Sequence, residues 1–246
     1  MLEVCVDRLE AVRQAIDAGA QRIELSENLS VGGVTPSVDL IKATRAEMSE
    51  ALIVLVRCRE GDFHYTPDEL DRMLEEAREA IRLGADGVAV GACCADGSLD
   101  WDFLARVQRV VFQVSEAAEL VVHRVFDRVP DPIPSIERLI ELRYDRILTS
   151  GGALQAVDSL EALREWNLAA RKRLEILPAG GIHSLNAQRV LQETHCRQLH
   201  GSFTKRPEQA AESRLSHLPP GMPIAEEILQ VRRLLDRISR RCLAED

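Results

Sequence analysis

Long apolar runs are missing from this 246-residue chain, and with them any stretch approaching the roughly 20 residues that span a bilayer as a helix. The opening segment MLEVCVDRLE also lacks the basic, apolar and small-residue succession of a secretory leader, which points to the cytoplasm. Clustered cysteines are missing too. Cys5, Cys58, Cys93, Cys94, Cys196 and Cys242 are scattered with no CxxC spacing, so reduced thiols rather than disulfide staples are expected. Lysine occurs only at Lys42, Lys172 and Lys205, and only the last falls near the end of an apolar run, which argues against an amine nucleophile. Positive charge is in deficit: a net charge of −9 and a pI near 5.3 argue against a nucleic-acid binder or an anionic-membrane binder. Any anion must therefore be met by a local site. GxGxxG, GxxxxGK[ST] and HExxH patterns are absent, which removes the common nucleotide and zinc signatures.

What remains is an apolar and evenly punctuated chain. With 46% hydrophobic and 29% charged residues it can bury a sizeable core and stay soluble. Eight strand-length runs recur: Leu2 to Val6, Arg22 to Leu25, Ala51 to Arg57, Gly87 to Val90, Leu120 to His123, Arg146 to Leu148, Leu174 to Leu177 and Gln198 to His200. Amphipathic helical stretches lie between them, near 7–18, 37–47, 67–82, 101–117, 135–142, 153–169, 184–193 and 224–240. Strict strand–helix alternation predicts a parallel sheet, and eight units of even length predict an α/β fold, a single (β/α)8 TIM-type barrel over 1–246, rather than an open doubly wound sheet. The loop-like HLPPG after Lys205 leads only to the last helix, so no second domain is required. Gly19-Ala20-Gln21 and Gly84-Ala85-Asp86 repeat one helix-to-strand turn.

In such a barrel the reactive groups sit where the strands end. Side chains alternate across a strand, so Glu3 shares a face with Cys5, Glu24 with Ser26, and Arg57 with Arg59. Glu24 on the second strand is expected to pair with Arg57 on the third, an ion pair that a purely structural role would also explain. Arg57 and Arg59 form forks suited to carboxylate or phosphate. His123 and Glu24 are candidate proton carriers, and Asp127, just beyond His123, is either a further catalytic candidate or a turn cap. Glycine follows three late strands, at Gly151-Gly152, Gly180-Gly181 and Gly201-Ser202, where backbone amides can approach an anion or simply make tight turns. Glu3, Arg57, Arg59, Gly180, Gly181, Gly201 and Ser202 are thus the ligand-binding candidates. Cys93 and Cys94 point to opposite sides if extended, so they are not expected to chelate together.

Several segments, in order, resemble one family. They are Glu3-Val4-Cys5, Arg22-Ile23-Glu24-Leu25, Gly32-Gly33-Val34-Thr35-Pro36-Ser37, Val56-Arg57-Cys58-Arg59-Glu60-Gly61-Asp62-Phe63 with Tyr65, His123-Arg124-Val125-Phe126-Asp127, Asp145 through Gly151, and Gly180-Gly181. From Met1 to about Lys205 the chain is similar to the CutC family, proteins named for copper homeostasis. The resemblance implies a barrel fold, a cytoplasmic location and a role in copper handling through copper binding, with Cys5 as the metal-ligand candidate. This chain departs from the family pattern at Ser26, where a cysteine is common, and at Cys58 and Glu60, where proline and glycine are common. A hydroxyl at position 26 weakens a copper(I) site there, because copper(I) prefers thiolate and thioether ligands.

Two functions follow as expectations. One is a copper-homeostasis protein that binds copper. The other is a lyase- or isomerase-type barrel enzyme acting on a small anionic or phosphorylated metabolite, with Arg57 and Arg59 holding charge. A mouth that is only structural would bind nothing, and apolar helix faces are compatible with a homo-oligomer.

Overall fold

Parallel strands and helices alternate without exception along the computed structural model, which describes residues 1–205, 219 and 221–245. In order they are β1 (Leu2–Val6), α1 (Leu9–Asp17), β2 (Arg22–Leu25), α2 (Val38–Glu47), β3 (Ala51–Val56), α3 (Pro67–Arg82), β4 (Gly87–Val90), α4 (Trp101–Phe112), β5 (Glu119–Val122), α5 (Pro132–Glu141), β6 (Arg146–Thr149), α6 (Leu160–Ala170), β7 (Glu175–Pro178), α7 (Ala187–Thr194), β8 (Leu199–Gly201) and α8 (Ala225–Glu245). The strands pair in parallel from β1 through to β7, and β8 pairs with β1. Because β8 also lies beside β7, the sheet curls into a nearly closed (β/α)8 barrel, as the alternation predicts. Positions 217, 218 and 220 of the HLPPG segment lie outside the described residues.

Local chemistry sets the boundaries. Helix α3 starts where Thr66 accepts from the Glu69 amide while Glu69 reaches back to the Thr66 amide, with Pro67 in the first turn. Gly19 and Gly84 end α1 and α3 at φ of +98° and +95°, a region that costs glycine little. The polar residue two places later has its own task. Gln21 Oε1 accepts from the Leu2 amide at 3.1 Å and Asp86 Oδ2 from the Leu52 amide at 2.8 Å, so each turn ties a helix end to the neighbouring strand. Asp145 does the same for the Leu120 amide at 2.8 Å.

The core has two layers. Outward-facing strand residues such as Val4, Ile23, Val54 and Ile147 meet the helices in one continuous cluster. Inside the barrel, Ile53, Leu55, Ala89, Val121, Leu148, Leu177 and Ala179 form a second, smaller cluster. That apolar filling occupies only one side of the lumen. Strand register sets Glu3 beside Arg22, Cys5 beside Glu24 and Glu3 beside His200, so β8, β1 and β2 bring a polar wall to the other side. Several ends differ from expectation in an instructive way. β3 stops at Val56 and β5 at Val122, because Arg57 and His123 bend into loops. The long stretch expected as a helix from 153 is instead a short 3-10 turn at Ala156–Asp158 followed by α6.

Candidate functional site

One cavity of about 970 Å³ opens at the C-terminal ends of the strands, and the polar wall and the apolar cluster both reach it. On the polar side, a chain of contacts runs from the barrel interior to the mouth. The buried Glu3 carboxylate accepts from Arg22 through Oε2 and lies 2.6 Å from His200 Nδ1 through Oε1. With Nδ1 engaged, His200 turns Nε2 toward Glu24, whose Oε2 is 3.8 Å away. Cys5, Glu24 and His200 thereby bring one sulfur, one oxygen and one nitrogen within 4.8 Å of one another, all three buried.

The electrostatics of this wall follow from burial and neighbours. Burial alone would raise the Glu3 carboxyl, but Arg22 and His200 override it and hold Glu3 well below the usual carboxylate range. Burial pushes Glu24 up to about 7, only partly opposed by His200. Burial opposes charge on His200 as well, yet Cys5, Glu24 and Glu3 raise it well above 6.5. The donor set suits a cation. Glu24 is a carboxyl without a full counter-charge, Cys5 is a soft donor, and Glu3–His200 is the carboxylate–histidine arrangement that orients a metal-ligating imidazole.

The other side of the mouth is built differently. Arg57 is expected to meet Glu24, and it does not. Register places Glu24 opposite Ile53, four residues before Arg57, and the Arg57 guanidinium instead donates to three backbone carbonyls: Val31 at 3.1 Å, Gly33 at 2.8 Å and Gly61 at 2.8 Å. Among the described residues no carboxylate pairs with it, and its Nε has no hydrogen-bond partner. The Phe63 ring lies over it, 5.2 Å from the guanidinium carbon, and leans against the His123 ring at 4.9 Å. His123 is buried and caps the turn that follows it, its Nδ1 accepting from the Val125 amide at 3.2 Å. Burial, helped by the Arg57 charge, pushes its pKa down to about 3, so the ring is neutral and carries its proton on Nε2. That Nε2 has no hydrogen-bond partner among the described residues.

The remaining expected residues divide. Asp127 lines the cavity but is occupied as an acceptor, taking the Thr149 hydroxyl, the Ser150 amide at 2.9 Å, the Gly152 amide at 3.3 Å and Arg124 Nε at 2.8 Å. It ties the β6 loop to the turn after β5. Gly180, Gly181, Gly201 and Ser202 all line the cavity, and Gly180 and Gly181 adopt φ of +86° and +69°. Two residues fall elsewhere. Glu3 sits inside the barrel behind His200 and does not line the cavity. Arg59 does not line it either. The chain has left β3 by then, and Arg59 turns to Glu69 at 2.7 Å, Asp62 at 3.1 Å and the Tyr65 ring. Ser26 is buried, and its hydroxyl has no hydrogen-bond partner among the described residues. Cys93 is buried beside His64 and Cys94 is exposed, so the two diverge as alternation requires.

Sequence reasoning missed the imidazole of His200 as a partner of Cys5, because its orienting group, Glu3, is 197 residues away. It also passed over Arg124 and Arg128, which reach the cavity just after His123. Their signal was the run of basic residues in His123-Arg124-Val125-Phe126-Asp127-Arg128.

A parallel barrel with its polar groups gathered at the strand C-termini belongs to the large class of (β/α)8 proteins that bind ligands at that face. The CutC family model matches residues 1–205. A CutC protein from Pasteurella multocida is 37% identical over 81% of this chain and 80% of its own length. A human relative, named copper homeostasis protein cutC homolog, is 35% identical over 80% of this chain and 72% of its own. The crystal structure of a CutC protein from Streptococcus agalactiae superimposes with a TM-score of 0.76 at 30% identity, covering 82% of this chain and 98% of that one. The chain belongs to the CutC family, which is implicated in copper homeostasis. Among the described residues, no helix is long and apolar enough to cross a membrane.

Proposed function

We propose that this protein takes part in copper homeostasis by binding copper(I) at Cys5, Glu24 and His200, in the cytoplasm, where thiols stay reduced. The observation that carries this reading is the convergence of one sulfur, one carboxylate oxygen and one imidazole nitrogen within 4.8 Å, with the imidazole oriented from behind by Glu3. Bound copper would take the place of the proton on His200 and supply the charge that Glu24 lacks, so affinity rises with pH. Anaerobic competition against a copper(I) chelator tests it. Cys5→Ser should weaken binding at least tenfold, and an unchanged affinity would sink the reading.

A specific observation favours a second reading, an enzyme of lyase or isomerase type acting on a small anionic or phosphorylated metabolite. Among the described residues the buried Arg57 cation has no carboxylate partner, and it shares the cavity with Glu24, which burial pushes up to about 7, and with the glycine loops at 180–181 and 201–202. A cation in that position attracts an anion, and a carboxyl titrating near neutrality can move a proton. Thermal-shift screening of phosphorylated and carboxylated metabolites checks this, since a mouth that takes no anion at all removes the basis of the reading.

A further inference from the structure

Among the described residues, two buried donors at the mouth have no acceptor. Arg57 spends its terminal nitrogens on loop carbonyls and keeps its Nε–H free, and His123 spends Nδ1 on the Val125 amide and keeps its Nε2–H free. Both residues are at least nine-tenths buried, at 6% and 4% exposure, yet both line the cavity. An unmade hydrogen bond from a buried group is costly, and a buried guanidinium without a counter-charge is costlier, so folds keep such an arrangement where a ligand completes it. The Phe63 ring packs against both side chains and fixes them in one group.

We propose that Arg57 and His123, joined by Phe63, form a carboxylate-binding subsite in which the Arg57 Nε–H and the His123 Nε2–H both donate to one small organic acid. The inference rests on the reading that the mouth takes an anion, and it names the class. The two free donors match the two oxygens of a carboxylate, and Arg57, with Arg128 over the same Phe63 ring at 5.5 Å, supplies the positive field that attracts it. Two donors serve the two oxygens of a carboxylate, whereas a phosphate would leave further oxygens without a donor from this pair. The neutral imidazole is the apt second donor, because an imidazolium beside Arg57 would add a repelling charge. Leu55, Leu148 and the edge of Phe63 line the same cavity and offer apolar walls to the carbon skeleton.

The test uses the full chain labelled with ¹⁵N-histidine, titrated at pH 7 and constant ionic strength with pyruvate and, separately, with inorganic phosphate, while ¹³C-pyruvate signals report binding anywhere on the protein. The expected result is a saturable shift of the His123 Nε2–H resonance with pyruvate and at least tenfold weaker binding in Arg57→Lys, which keeps the charge but loses the Nε donor. The wild-type resonance reports whether or not the variant folds. Pyruvate binding that leaves His123 unmoved overturns the subsite while the anion reading stands. A response to phosphate alone overturns the carboxylate class. Failure of both anions to bind removes the subsite and the reading beneath it together.

Discussion

Replacing His123 by glutamine removes a buried imidazole that the fold keeps neutral, and the consequence should appear as a change in acid stability. His123 is 4% exposed, its Nδ1 is held by the Val125 amide, and its pKa falls from 6.5 to about 3 through burial and the nearby Arg57 charge. In the unfolded chain the same ring takes a proton near 6.5. Between those values the unfolded state binds more protons than the native state, so the contribution of His123 is fully present above 6.5 and is lost as pH falls toward 3. At pH 4.5, two pH units below 6.5 at roughly 1.4 kcal/mol each, the loss is about 2–3 kcal/mol. Glutamine cannot take that proton, so the wild-type advantage at pH 7.5 should shrink by this amount at pH 4.5. For a chain of this size that corresponds to roughly 5–10 °C in the difference between the two melting temperatures. Circular dichroism melts of both proteins at the two pH values measure it, and the remaining histidines cancel in the comparison. A wild-type-to-variant difference that is the same at both pH values would refute the reasoning, as would a His123 resonance that titrates near 6.5.

Arg22→Met should cost about 3–5 kcal/mol in urea denaturation, because it leaves the Glu3 carboxylate buried with His200 alone, and adding Glu3→Gln should recover much of that loss. Asp127→Ala should lower stability by roughly 2–4 kcal/mol by stranding the amides of Ser150 and Gly152 and the Arg124 guanidinium, with Asp127→Asn milder; equal effects of the two would show that the carboxylate is not the tie.

Much of the barrel was legible in the sequence, and the reasons are local. Runs of three to seven residues mark every strand to within about one residue, because a strand buried on both faces has little choice of side chain. The repeated glycine turns were visible as a phrase, although the side-chain-to-amide bonds made by Gln21 and Asp86 were not, since they cross to the neighbouring strand. The site was legible only as a set of residues. Glu24 and Arg57 looked like an ion pair when strands were laid side by side, but register sets them four residues apart and Arg57 finds loop carbonyls first. Arg59 looked like its partner by alternation, and alternation ends where β3 ends. Glu3 and His200 meet only because β8 closes the barrel against β1, a contact that no local pattern encodes.

The claim that Cys5, Glu24 and His200 hold copper is tested most directly by anomalous diffraction at the copper edge, from crystals grown anaerobically with copper(I). One strong peak is expected among Cys5 Sγ, His200 Nε2 and the Glu24 carboxylate, absent in Cys5→Ser. A peak at Cys93 and His64 instead, or none at the barrel mouth, would contradict it.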